Sequence, residues 1–313
     1  MPGGAIWLCP GQGTQQVGMA KDLAERFPAA RTVLEAIDDA LDFALSRIMF
    51  EGPEADLTAT QNAQPAILAH SAAVHAVVRE RVNLPVAAAG HSLGEYSAYV
   101  AAGALDAPAA AKLVRRRGEL MHQAGTQRPG TMAVILGLDT AAVEAACRDA
   151  SRDGAIAVAA NLNGPDQTVI SGDPDAVARA GVGCKERGAK RVMPLNVSGA
   201  FHSPLMRSAA GPLQVALQQA PLRDPAFPVV ANATAELVTR ADRARRLLVD
   251  QLTAPVRWVA CMEHAARVGG SEARWIEIGP GRALAGLLRR IAPGASVVSL
   301  GTAPQVEQFL EAA

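Results

Sequence analysis

The sequence predicts an α/β protein: a large domain built on a mostly parallel sheet, with a small α/β subdomain inserted into it. Three observations carry that prediction. Short apolar runs alternate with helix-period segments, the pattern of strands joined by crossover helices. The texture changes after "TQRPG" (126–130) and reverts near residue 199. The chain has 313 residues, half of them hydrophobic, which is enough for one large core and an insertion.

The elements follow in order. "AIWLC" (5–9) is a buried strand closed by Pro10-Gly11. "MAKDLAERFPAARTVLEAIDDALDF" has helical spacing, interrupted near Pro28. "QPAILAHSAAVHAVVRERV" (64–82) predicts a helix with Pro65 in its first turn, where a missing N–H costs nothing. "PVAAAG" (85–90) predicts a second buried strand, and "LGEYSAYVAAG" (93–103) a helix ending at Gly103. "DAPAAAKLVRRRGELMHQAG" (106–125) predicts a helix closed by Gly125.

The insertion reads strand "TMAVILGL", Asp-capped helix "DTAAVEAACRDA", strands "AIAVAAN" and "QTVISG", helix "DPDAVARAGVGCKERG" and strand "KRVMPLNVSG". That β-α-β-β-α-β order is the split βαβ, or ferredoxin-like, unit. It assigns 127–198 to the small subdomain and 1–126 with 199–313 to the large domain. The α/β pattern then resumes: strand "FPVVAN", helices across 241–268, strand "RWIEIG" (274–279), helix "GRALAGLLRRI" and strand "SVVSLG".

Composition narrows the function. Thirty basic and thirty acidic residues cancel, so no global charge draws the chain to nucleic acid or an anionic membrane. No apolar run reaches the roughly 18 residues of a membrane span, and the N-terminus carries no signal-peptide pattern. Cys9, Cys147, Cys184 and Cys261 are scattered and form no C-x-x-C, as expected of reduced thiols in a cytoplasmic protein. The six histidines show no metal-binding spacing, so no metal is expected.

The chemistry centres on "GHSLG" (90–94). Gly-x-Ser-x-Gly between a strand and a helix is a nucleophile elbow: the turn is tight, and its apex carries Ser92. The following helix aims its N-terminus at the same point, which makes the N–H of Leu93 a natural oxyanion donor. A serine hydroxyl needs a base. His91 is adjacent, but neighbouring side chains at a tight turn diverge. His70, His75, His122 and His264 lie on helices or near their ends. His202 follows the last strand of the insertion, in a loop where α/β sites gather, and is the leading candidate. Asp139, Asp166, Asp173 and Asp175 lie between Ser92 and His202 but read as turn and cap residues. A backbone carbonyl could then orient the imidazole in place of a triad acid. "GQG" (11–13) lacks dinucleotide-motif spacing; a loop bringing an N–H to an oxyanion explains it better.

Seven segments in order now carry a resemblance: "PGQGTQQVGM", "GHSLGEYSAYVAAG", "RRGELM", "NLNGPDQTVISG", "SGAFHSPLM", "QLTAPVRW" and "IEIGPGRAL". Together they resemble the malonyl-CoA:acyl carrier protein transacylases of fatty acid synthesis and the related acyltransferase domains of polyketide synthases. The resemblance implies an α/β-hydrolase-like large domain with the site in the cleft beside the ferredoxin-like subdomain. It implies Ser92 as acyl-accepting nucleophile and His202 as base, held by a main-chain carbonyl near Gln251. It implies an oxyanion hole from the N–H groups of Gln12 and Leu93, Arg117 as partner of the malonyl carboxylate, and Gln64 near the site. A planar guanidinium suits that carboxylate, which is what distinguishes malonyl from acetyl; neighbouring Arg115 and Arg116 should be solvated. Phe201 would fill the space an α-methyl branch needs. The implied partners are coenzyme A thioester and acyl carrier protein, with malonyl-CoA as substrate and no bound cofactor. Lys185, Lys190, Arg191 and Arg282 are candidates for docking an acidic carrier. A discrete acyltransferase of a polyketide synthase, a serine thioesterase or esterase, and a non-catalytic carrier-binding protein are the alternatives.

Overall fold

Strand β1 (Ala5–Cys9) is buried along its whole length, and its alternation sets up two cores. Ile6 and Leu8 join one apolar cluster with Trp258 and Leu284; Trp7 and Cys9 join the other with Leu23, Tyr96 and Leu113. A strand covered on both faces is what a parallel sheet requires. In the computed structural model, which describes residues 4–312, β1 pairs in parallel with β2 (Ala87–Gly90) on one side.

The chain next forms β3 (Thr131–Leu136), β4 (Ala157–Gly164), β5 (Gln167–Gly172) and β6 (Arg191–Pro194). The main sheet resumes with β7 (Val229–Val230), β8 (Leu237–Val238), β9 (Arg274–Ile278) and β10 (Val297–Leu300). Its order is β10-β9-β1-β2-β7-β8, parallel except for the β7–β8 edge. The second sheet, β4-β5-β3-β6, is antiparallel throughout. Its helices, Thr140–Ala150 and Pro174–Glu186, pack on one face over a separate cluster that includes Ile135, Val143, Ile170 and Val177. The opposite face sends Met132, Ala160 and Val169 into the main core. Backbone bonds from Leu162 N to Val256 O (2.9 Å) and Val256 N to Ala160 O (2.8 Å) tie β4 to the rest of the chain.

Several elements depart from the sequence reading. The predicted 64–82 helix runs instead over Thr60–Val78, which puts Pro65 inside it rather than in its first turn. Proline cannot donate to the carbonyl four residues back; that carbonyl, of Gln61, takes Arg115 Nη1 at 3.3 Å. The predicted 106–125 helix, observed over Ala107–Gln127, runs through Gly125 instead of ending there. Gly125 serves packing: a Cβ on it would lie 2.2 Å from the Ser198 carbonyl oxygen. The helices Leu45–Glu51, Glu54–Thr58, Arg207–Gln219 and Ala303–Ala312, and the short β8, are further elements that the periodicity did not single out. Met1 to Gly3 and Ala313 lie outside the described residues. Among the described residues no helix is long and apolar enough to cross a membrane.

Candidate active site

The carboxyl ends of β1, β2 and β7 open onto one edge of the main sheet, and the chain turns there three times. After β2 the backbone reverses at Ser92 (φ 53°, ψ −105°) and enters the helix Leu93–Ala101. That turn closes because of its glycines. A Cβ on Gly90 would lie 1.9 Å from the Gly94 carbonyl carbon, and one on Gly94 only 2.1 Å from the Cys9 carbonyl oxygen. The loop after β1 packs in the same manner, since a Cβ on Gly11 would lie 2.3 Å from the His91 carbonyl oxygen. "GQG" and "GHSLG" therefore fold as one backbone-on-backbone unit. Asn232, just past β7, completes it: its Oδ1 accepts the Ser92 N–H (2.7 Å) and its Nδ2 donates to the Gly90 carbonyl (2.8 Å).

His202 meets Ser92 across this edge, Oγ to Nε2 at 2.7 Å. It too has a left-handed backbone (φ 56°). Its Nδ1 lies 2.8 Å from the Gln251 carbonyl oxygen. A carbonyl only accepts, so Nδ1 carries the proton and Nε2 presents its lone pair to the serine hydroxyl. Burial, and after it the Arg117 charge, push His202 down to about 3, so the imidazole is neutral and able to take a proton.

Arg117 comes from the helix Ala107–Gln127 and is 1% exposed. Its Nη1 donates to Gln64 Oε1 (2.7 Å); its Nη2 donates to Gln251 Oε1 (2.9 Å) and Ser92 Oγ (3.2 Å). Every one of these partners is uncharged, and among the described residues Nε has none. A buried guanidinium ringed by neutral acceptors beside a serine hydroxyl has the charge and geometry to pair with an anion brought to it. Arg116 is exposed as expected, whereas Arg115 is half-buried and pairs with Glu119 at 2.9 Å.

The remaining candidates divide. Leu93 opens the helix after the elbow, 1% exposed, and Gln12 lies half-buried in the loop after β1, its Nε2 on Thr60 Oγ1 at 3.3 Å. Phe201 is buried in the main core beside His202. Lys185, Lys190, Arg191 and Arg282 are all exposed. His91 bonds Asn163 Oδ1 through Nε2 (2.8 Å), linking the elbow to β4. Asp139 caps a helix through Ala142 N, while Asp166 pairs with Arg290, so these two carboxylates lie in turn and cap positions.

Sequence reasoning missed Asn232 and Glu95. Glu95 is completely buried; its Oε2 accepts from Gln251 Nε2 (2.7 Å) and the Asn232 N–H (3.0 Å). Burial pushes it up to about 7, against the pull of those two donors and of Arg117. A signal existed for both. Glu95 is the one charge in the otherwise neutral helix "LGEYSAYVA", and Asn232 ends a strand where parallel-sheet sites form.

The acyl transferase domain family matches residues 6–304. A malonyl CoA-acyl carrier protein transacylase of Bacillus subtilis is 43% identical over 91% of this chain and 89% of its own. One of the same name from Escherichia coli K12 is 41% identical over 91% of this chain and 92% of its own. A crystal structure of an acyl carrier protein S-malonyltransferase from Vibrio cholerae superposes with TM-score 0.92 at 40% identity, covering 97% of this chain and 99% of the other. A chain in a complex of a type II polyketide-synthase acyl-carrier protein with its malonyl-transacylase superposes with TM-score 0.94 at 40% identity, covering 99% of this chain and all of the other. The chain belongs to the acyl transferase domain family and, within it, to the malonyl CoA-acyl carrier protein transacylases.

Proposed function

We propose that this chain moves a malonyl group from malonyl-CoA to the phosphopantetheine thiol of an acyl carrier protein, through an acyl-Ser92 intermediate, and so supplies fatty acid synthesis. The observation that carries the reading is the pair of groups on Ser92 Oγ: a neutral imidazole at 2.7 Å and a buried guanidinium at 3.2 Å. One can take the hydroxyl proton; the other can hold the free carboxylate of the acyl group.

The sequence of events follows. Ser92 Oγ attacks the thioester carbonyl while His202 Nε2 accepts its proton. The N–H groups of Leu93 and Gln12 receive the developing oxyanion. The C–S bond breaks, and His202 returns the proton to the departing thiolate of coenzyme A. The carrier thiol then gives its proton to His202 and attacks the acyl-serine, and Ser92 leaves as a hydroxyl. Every step uses the chain's own groups and the two thiols, so no bound cofactor enters. Gln64 braces Arg117, and Phe201 restricts the space beside His202.

The finer domain reading belongs to the same proposal. An α/β-hydrolase-like domain spans 1–126 and 199–313, and a ferredoxin-like subdomain spans 127–198. The separate apolar cluster under the antiparallel sheet supports that division. Four free, buried cysteines support a cytoplasmic location. Exposed Lys185, Lys190, Arg191 and Arg282 offer an acidic carrier a basic approach; charge reversal at all four should raise the carrier KM, and an unchanged KM rejects them.

The test is intact-mass analysis after incubation with malonyl-CoA. A malonyl adduct is expected on the parent protein, discharged by holo carrier protein, and absent from Ser92→Ala. An acylated Ser92→Ala protein overturns the assignment. The likeness to a type II polyketide-synthase transacylase favours a second reading, the same transfer feeding a polyketide carrier. Relative kcat/KM for fatty acid and polyketide carriers separates the two.

A further inference from the structure

Glu95 is a buried carboxylate that the transfer chemistry above does not use. Among the described residues its carboxylate makes no hydrogen bond to Ser92 Oγ or His202; its bonds go to Gln251 Nε2 and the Asn232 N–H, both on Oε2. Gln251 is the common neighbour of the whole site. Its carbonyl holds His202 Nδ1, its Oε1 holds Arg117 Nη2, and its Nε2 reaches both Glu95 and the Ser92 carbonyl (3.1 Å). We propose that Glu95 is a positioning residue that acts through Gln251 to fix Arg117 for its carboxylate ligand. This inference rests on the acyl-transfer reading of the same site.

Hydrogen-bond polarity sets the orientation of the Gln251 amide. A guanidinium only donates, and an ionised carboxylate only accepts. An amide lying between them has a single satisfied sense: nitrogen to Glu95, oxygen to Arg117. The Gln251 side chain is fully buried, so water cannot supply a substitute partner. The chain Arg117–Gln251–Glu95 also places a countercharge one amide away from a buried cation that has no direct ion pair among its hydrogen-bond partners. A protonated Glu95 loses the acceptor-only character. It then holds Gln251 Nε2 more weakly and no longer offers Arg117 a countercharge, so the amide, left mainly on the Ser92 carbonyl, grips Arg117 less firmly.

Glu95 is pushed up to about 7, which places this change within reach of ordinary buffers. Its titratable neighbours do not titrate alongside it. Tyr96 and Tyr99 on its own helix and Cys261 on the helix Trp258–Gly269 are all pushed further up by burial. Arg117 faces it from the helix Ala107–Gln127 and stays charged. Across Ser92, burial pushes His91 down and pushes His202 down to about 3, which keeps His202 neutral. A decline in kcat/KM for malonyl-CoA below about pH 7 therefore belongs to Glu95.

The experiment is a pH profile of kcat/KM for malonyl-CoA, between about pH 5.5 and 8.5, in the parent protein, Glu95→Gln, Gln251→Met and the double variant. Gln251→Met keeps the main-chain carbonyl on His202 and removes only the amide. The parent is expected to lose activity below about pH 7. Glu95→Gln should be flat with pH and about tenfold lower at the alkaline end, the scale of a modest misplacement. In the Gln251→Met background the Glu95 change should add nothing, because the two act in series. Glu95→Gln with the parental acid limb, or additive losses in the double variant, overturns the inference. Should Glu95→Gln fail to fold, an acid limb in the parent that is absent from Gln251→Met carries the test, and a flat parental profile overturns it. Failure of the acyl-transfer reading is separate: it shows as no acyl-serine in the parent protein at any pH.

Discussion

Ser92 and His202 lie 110 residues apart in the chain, yet Oγ and Nε2 meet at 2.7 Å, and both residues hold positive φ, 53° and 56°. Outside glycine that conformation is strained, at on the order of 1–3 kcal/mol per residue. The strain persists because the surroundings over-determine it. Asn232 grips the Ser92 N–H, and the Gln251 carbonyl grips the imidazole of His202.

The strain at Ser92 is measurable by comparing two replacements. Ser92→Gly and Ser92→Ala both remove the hydroxyl, but only glycine relaxes at φ 53°, ψ −105°. Ser92→Gly should be the more stable by about 1 kcal/mol, a Tm difference of about 2 °C in a chain this long. Equal melting temperatures would mean that the elbow is unstrained.

Arg117 should decide acyl choice. Arg117→Ala removes the buried cation on Ser92 Oγ, and malonyl transfer should fall by at least about a hundredfold, the scale of a lost charge-assisted pair. Acetyl transfer, which presents no carboxylate, should fall far less. The check is the ratio of kcat/KM for malonyl-CoA and acetyl-CoA. An unchanged ratio rules out a carboxylate role for this residue.

The fold should weaken in mild acid, and His70 should account for a defined share. It is 2% exposed, bonds the Gly301 carbonyl through Nε2 at 2.9 Å, and burial pushes it down to about 4. A histidine depressed in the fold is neutral there while the unfolded chain takes up a proton below its ordinary value near 6.5. Its contribution is therefore complete above that value and is lost as pH falls toward 4, about 3 kcal/mol in all. His202 and His75 act in the same sense, and Glu95, pushed up, in the opposite one. His70→Gln keeps a donor for Gly301 and cannot titrate. Its Tm should fall less steeply than the parent's between pH 6.5 and 4; parallel curves would remove His70 from the acid response.

Much of the molecule was legible in local pattern. The alternation of β1, the glycine spacing of the elbow, the caps and the order of elements in 127–198 are short-range properties, encoded in neighbouring residues. The misreadings were local rules overruled from a distance. Pro65 and Gly125 look like helix boundaries, but Pro65 leaves a carbonyl that Arg115 uses, and Gly125 makes room for the backbone at Ser198.

Local pattern thus encodes the α/β alternation, the strand–turn–helix that raises Ser92, and the set of histidines and arginines from which a site could be built. Which of them meet is set by the folded chain. Ser92 finds His202 across 110 residues, Arg117 finds Gln64 across 53, and Glu95 finds Gln251 across 156. Those pairings depend on strand order in the sheet and on how helices pack over it, which no local period records. Glu95 shows the difference most plainly. In the sequence it is a polar residue on a helix; in the fold it is a carboxylate sealed away from water, and only burial gives its charge a say in how Gln251 and Arg117 are held.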